Sequence, residues 1–148
     1  MADARVVSNH LVDIAGEEGN TLTPMQVLKL VYISHGYRLG YNSIPLIPNR
    51  IEAWKFGPVI PDLYYSIKDR RDKPVVRVVA TGLEDFVDGE QDFVAAIYNE
   101  YRALDGIQLS NLTHQDGTPW HRVYRPNVSS LPIPDDMIQH HYASMLAS

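Results

Sequence analysis

The chain has 148 residues, of which 45% are hydrophobic, and a formal net charge of −5. This length suits one domain with a core large enough to need no covalent staples. The sequence contains no cysteine, which excludes disulfides, thiol catalysis and cysteine-based zinc sites. We expect no membrane segment, no signal peptide and no nucleic-acid partner, because apolar runs are short and the charge is mildly acidic. An acidic chain suits a basic protein partner instead.

The first two predicted elements are helices. Apolar residues recur at helical spacing from Asp3 to Ala15. The next helix has the clearest start in the sequence, because Thr23 is an N-cap, Pro24 takes the first helical position and a glutamine three residues after the cap completes a capping box. Gly40 or Asn42 is expected to end this helix.

A strand, a turn and a third helix are predicted in quick succession. We predict an extended strand over Arg50–Phe56, in which alternation places Glu52, Trp54 and Phe56 on one face. Gly57-Pro58 predicts a rigid turn, and Pro61 opens a short helix. The β-rich run Val75–Val79 is expected to pair with the first strand. Beyond it, Phe86 and Val87 could form a short third strand.

The second half of the chain is predicted to be helical. We expect a helix at Asp92–Leu104, a helical turn at Ser110–His114, a cap-plus-proline helix start at Thr118-Pro119, and a last helix over residues 134–147. About six helices around a small antiparallel sheet of two or three short strands predict a mainly helical α+β domain. No linker divides the chain, so we expect one domain over residues 1–148.

Few residues suggest chemistry. None of the six histidines forms the i, i+4 pair of a helical metal site, and we expect no metal and no cofactor. His35 is on an apolar helix face, where we expect a buried side chain bonded to backbone. His114 and Asp116 could form an acid–base pair, but we favour a role for both in satisfying the backbone of the following turn. No nucleophile elbow is present, and no catalytic residue is predicted.

Two tryptophans, Trp54 and Trp120, each follow or precede turn-forming residues. Core packing is the interpretation we favour for both, with a partner-binding anchor as the alternative.

Three segments, taken in order, resemble a known family. They are the run from Leu22 to Tyr32 with His35-Gly36, the run from Glu52 to Val59 with Pro61 and Tyr64, and the run from Leu109 to Trp120. Their order and spacing are similar to the Panacea antitoxin domain, also called SocA-like or GepA-like, over about Asn9–Tyr124. The positions that carry the resemblance, expected to hold the scaffold or contact a partner, are Pro24, Leu30, Tyr32, His35, Gly36, Glu52, Trp54, Gly57, Pro58, Pro61, Tyr64, Thr113, His114, Gly117, Pro119 and Trp120. Phe56 and Thr118 depart mildly from it, since tyrosine and serine are frequent there.

The resemblance implies a small cytoplasmic protein of a bacterium or prophage that neutralises a toxin encoded nearby. We therefore expect an antitoxin that binds its toxin directly and has no enzymatic activity. One branch of the family delivers its toxin to a protease, so a proteolytic adaptor is the first alternative. An enzyme using His114 and Asp116 is the second, and a DNA-binding autoregulator is a third, against which the net charge argues. The toxin's identity and the oligomeric state stay open.

Overall fold

The computed structural model describes residues 1–147 of the chain. This part contains seven α-helices and three short strands. The predicted class, mainly helical α+β with a small antiparallel sheet, is confirmed. The helices are α1 (Ala4–Glu17), α2 (Pro24–Asn42), α3 (Pro61–Ile67), α4 (Glu90–Tyr101), α5 (Gly106–Thr113), α6 (Pro119–Val123) and α7 (Asp135–Ala147). The strands are β1 (Glu52–Trp54), β2 (Gly57–Val59) and β3 (Leu131–Pro132). None of the helices described is both long and apolar enough to cross a membrane.

Helix α2 lies at the centre of the domain. It packs against α1, α3, α4, α5, α7 and β2. Its start is the predicted one, since the Thr23 side chain accepts from the Gln26 N–H and the Gln26 side chain accepts from the Thr23 N–H at 2.9 Å. Every residue from Val27 to Gly36 is buried. A helix that is apolar nearly all round must be covered on all sides, which places α2 in the core.

Two glycines bring α7 close to α2. Gly36 and Gly40 are one turn apart on α2, and α7 crosses them. A Cβ atom at Gly36 would lie 2.2 Å from the Tyr142 ring, and one at Gly40 would lie 3.0 Å from the Tyr142 backbone. The two positions therefore set the distance between the helices, because no larger residue fits without moving α7.

The sheet has the order β2-β1-β3, with antiparallel pairing throughout. Trp54 pairs with Gly57, so a two-residue loop, Lys55-Phe56, joins β1 to β2. The predicted turn at Gly57-Pro58 is therefore wrong: the turn lies two residues earlier, and both residues belong to β2. Pro58 is tolerated there because β2 is an edge strand.

The predicted strand at Val75–Val79 is also wrong, and β3 takes its place beside β1. The Asn9 side chain accepts from the Val78 N–H at 2.8 Å and donates to the Val78 carbonyl at 2.9 Å. The Val75 N–H bonds to the Leu22 carbonyl at 2.8 Å. These partners replace a sheet neighbour, so the segment stays irregular.

The structure differs from the sequence predictions at two further places, both after Val79. Phe86 and Val87 form no strand, because the Phe86 ring packs edge-on against His10 at 5.3 Å and the Val87 N–H bonds to Glu90 at 2.8 Å. The helical turn predicted at Ser110–His114 begins four residues earlier, as α5. Asp105 caps it, in a capping box with Gln108.

We predict that Gly36→Ala destabilises the domain, because the new methyl group would overlap the Tyr142 ring. The expected loss is about 1–3 kcal/mol of unfolding free energy, as for other overpacked cores. Urea denaturation measures it. Gly16→Ala is the matched control, since nothing lies within 4 Å of a Cβ at that helical position. Equal stability of the two variants would contradict the close packing of α2 and α7.

Candidate functional site

The three sequence segments meet at the hairpin formed by β1 and β2. Lys29, on α2, donates from Nζ to the Pro58 carbonyl at 2.9 Å. Ser110, on α5, donates from its hydroxyl to the Phe56 carbonyl at 3.2 Å. Trp120, on α6, donates from Nε1 to the Trp54 carbonyl at 2.5 Å. Side chains from three distant helices thus hold the hairpin in place through its carbonyl groups.

Trp54 is held on two sides. Its Nε1 donates to one carboxylate oxygen of Glu52 at 2.9 Å, and Arg50 donates to the other at 2.7 Å. Its ring meets Tyr64 edge-on, with centroids 4.9 Å apart. Glu52 is buried and Trp54 is half-buried, so part of the Trp54 side chain is exposed to solvent. The contacts with Glu52 and Tyr64 agree with the packing interpretation of Trp54, and its role as a partner contact stays a prediction.

Trp120 and His114 form a second aromatic group beneath the hairpin. Trp120 stacks on Tyr124 at 4.8 Å and meets the His114 ring edge-on at 5.4 Å. His114 donates from Nδ1 to the Ser110 carbonyl at 2.6 Å. Asp116 is 98% exposed and lies 3.4 Å from Nε2 of His121. The acid–base pair of His114 and Asp116 considered from the sequence is therefore not formed.

His35 belongs to the core and lies six residues after Lys29 on α2. It is fully buried, and its Nδ1 accepts the N–H groups of Leu46 and Ile47 at 3.2 and 3.3 Å. Nε2 therefore carries the proton and donates to Asp135 at 2.8 Å. His35 ties the loop after α2 to the start of α7. The predicted burial and backbone bonding are observed, and the bond to Asp135 is additional.

The remaining motif positions divide by exposure. Most are buried: Pro24, Leu30, Tyr32, Gly36, Gly57, Pro58, Thr113 and Pro119. Pro61 and Tyr64 are half-buried. Gly117 is exposed, with φ of 86° before the Thr118 cap of α6. Burial raises the pKa of the Tyr32 hydroxyl far above its ordinary value, so this group stays neutral.

A groove of about 390 Å³ opens beside the hairpin, between the start of α2 and α3. We call it the hairpin groove. Its apolar wall includes Met25, Leu28, Trp54, Phe56, Val59 and Tyr64. Phe56, at the tip of the hairpin, is 71% exposed. The charged residues that line the groove are all cations: Lys29, Lys55, Lys68 and Arg71.

Lys29 is the residue that sequence reasoning missed. Its side chain is buried, and burial lowers the pKa of its ammonium group to about 8. The available signal is a lysine inside the apolar run from Val27 to Ile33. Gly57 makes room for it, because a Cβ there would lie 2.9 Å from Nζ of Lys29. Gly57 also has φ of 125°, which side chains rarely allow.

A metal site is not apparent at the hairpin or elsewhere in residues 1–147, where no three His, Asp or Glu side chains come together to bind an ion. The site is instead a surface: a rigid hairpin, exposed aromatic rings and a group of cations.

Comparison with known proteins identifies the family. Residues 27–121 match the family described as "Antitoxin SocA-like, Panacea domain", and the chain belongs to this family. The chain is also similar to Antitoxin SocA of Caulobacter vibrioides (strain NA1000 / CB15N), at 29% identity over 128 residues, which cover 80% of this chain and 68% of that protein. No solved structure matches the chain. Membership of an antitoxin family gives the chain a role in a toxin–antitoxin system.

We predict that Lys29→Met changes the pH dependence of stability. Unfolded Lys29 takes the ordinary pKa of 10.5, and the folded value is about 8. Between pH 8 and pH 10.5 the unfolded state binds more protons than the folded state. The unfolding free energy of the unmodified protein therefore increases with pH, relative to that of Lys29→Met. The expected rise is about 1.4 kcal/mol for each pH unit. Below pH 8 the buried charge costs the unmodified protein about 3 kcal/mol.

Guanidinium denaturation of both proteins from pH 7 to pH 10 measures this difference. Lys73→Met is the matched control, because Lys73 is exposed and the change removes the same charge. A stability difference between Lys29→Met and the unmodified protein that does not vary with pH would show that Lys29 is well solvated in the folded state.

Proposed function

We propose that this protein is an antitoxin that neutralises a toxin encoded nearby by binding it directly, in the bacterial cytoplasm. Family membership over residues 27–121 is the observation that carries the proposal. The relative from Caulobacter vibrioides is named as an antitoxin over an alignment that covers most of both chains.

The geometry of the hairpin supports binding rather than catalysis. Exposed rings next to a rigid backbone lose little conformational entropy when a partner covers them, and aromatic residues are frequent anchors in protein interfaces. Phe56 and Tyr65 are 71% and 61% exposed on this side of the molecule. An enzyme based on His114 and Asp116 is not favoured, because Asp116 pairs with His121 instead. We therefore propose that the protein acts without chemistry of its own.

Co-expression tests the proposal. The neighbouring open reading frame is expressed alone and then with this protein, while growth, toxin level and co-purification are followed. We expect toxicity on its own, and restored growth with a stable complex when both are present. Restored growth with a shortened toxin half-life would assign the adaptor mechanism instead. A neighbour that is toxic and is neither bound nor removed would refute the proposal.

A further inference from the structure

The strongest unexplained feature of the molecule is a buried ammonium group at the wall of an open groove. Lys29 is only 4% exposed, yet it lines the hairpin groove together with Trp54 and Phe56. An ammonium group has three N–H donors. The described residues supply one acceptor, the Pro58 carbonyl at 2.9 Å. Two donors of a desolvated cation thus have no protein acceptor.

This arrangement costs stability, as the lowered pKa of the ammonium group indicates. An apolar residue of similar length would fill the same space without the cost of a buried charge. Gly57 adds to the case, because a Cβ at this position would lie 2.9 Å from Nζ of Lys29, so only glycine leaves room for the ammonium group there. Desolvated ionisable groups in clefts are frequent in functional sites.

The rim of the groove is also positively charged. Lys55, Lys68 and Arg71 are exposed, and the lining includes no acidic residue, although the whole chain carries a net charge of −5. Nζ of Lys55 lies 5.4 Å from the centroid of the Phe56 ring, and Nζ of Lys68 lies 4.9 Å from that of the Tyr65 ring. Contacts with aromatic faces hold both cations near the groove. Arg71 has φ of 58°, a strained value for a residue with a side chain.

We propose that the hairpin groove binds an acidic segment of the partner protein. One Asp or Glu side chain of that segment accepts hydrogen bonds from Nζ of Lys29, and an adjacent apolar side chain packs against Trp54, Phe56 and Tyr64. The three rim cations attract further carboxylates and speed association. Opposite charge in the complex also compensates the desolvation of Lys29. The inference rests on the proposed function for the identity of the partner. It differs from the expectation that an acidic chain suits a basic partner, because the groove itself is cationic.

Binding of the purified toxin to the full chain tests this proposal. Lys29→Met should raise the dissociation constant by about 10- to 100-fold, because a hydrogen bond to a buried charge is lost. The triple reversal of Lys55, Lys68 and Arg71 to glutamate should slow association by about tenfold or more and abolish its acceleration at low salt. Because these three side chains are exposed, the triple variant keeps the test valid even where Lys29→Met perturbs the fold. Lys73→Glu, a reversal in the same loop outside the groove, should bind like the unmodified protein.

The reciprocal arm changes the toxin. Surface Asp and Glu residues of the toxin are replaced by Asn and Gln, one segment at a time. We expect replacement in one segment to reduce the binding affinity as Lys29→Met does. Combined with Lys29→Met, this replacement should cause no further loss of affinity. A loss that follows only from blocking the toxin's terminal carboxylate would overturn the side-chain assignment. Unchanged binding of Lys29→Met and of the triple variant would overturn the groove as the site. A toxin that does not bind even the unmodified chain refutes the proposed function itself, and with it the occupant named here.

Discussion

The fold depends on the burial of the central stretch of α2, from Val27 to Gly36. Buried polar groups are mostly hydrogen-bonded, so polar side chains on this stretch reach acceptors and donors in other parts of the protein. Lys29 reaches the carbonyl of Pro58 in the hairpin, and His35 bonds to the loop after α2 and to Asp135 at the start of α7. Gly36 allows α7 to lie against the same helix. One buried helix thus fixes the positions of the hairpin, the loop and the C-terminal helix.

The same constraint generates the candidate binding surface. Because α2, α5 and α6 each donate a side chain to a hairpin carbonyl, the hairpin is rigid although its strands are only three residues long. Its tip carries Phe56 into solvent, and Trp54 stays half-covered by Tyr64. A preorganised surface of this kind binds a partner with little loss of entropy. The cations beside it give the groove a charge opposite to that of the whole chain.

Sequence reasoning succeeded where the deciding interactions are local. The start of α2 follows from Thr23 and Gln26, which are three residues apart and bond to each other's backbone. It failed where a distant partner decided the outcome. Val75–Val79 has strand-forming residues, but Asn9, 69 residues from Val78, takes the backbone groups that a strand would need. The turn predicted at Gly57-Pro58 lies instead at Lys55-Phe56, because the pairing of β1 with β2 sets the position of the loop.

The sequence by itself determined the class of fold, the capped start of the central helix, the lack of any cysteine chemistry and the family, since these depend on composition and on motifs in order. Only the tertiary structure decided which of the motif residues are buried and that Lys29 is desolvated beside an open groove. The physical reason is that burial and electrostatic environment come from segments far apart in the chain. Lys29 and Pro58 are 29 residues apart, and His35 and Asp135 are 100 residues apart.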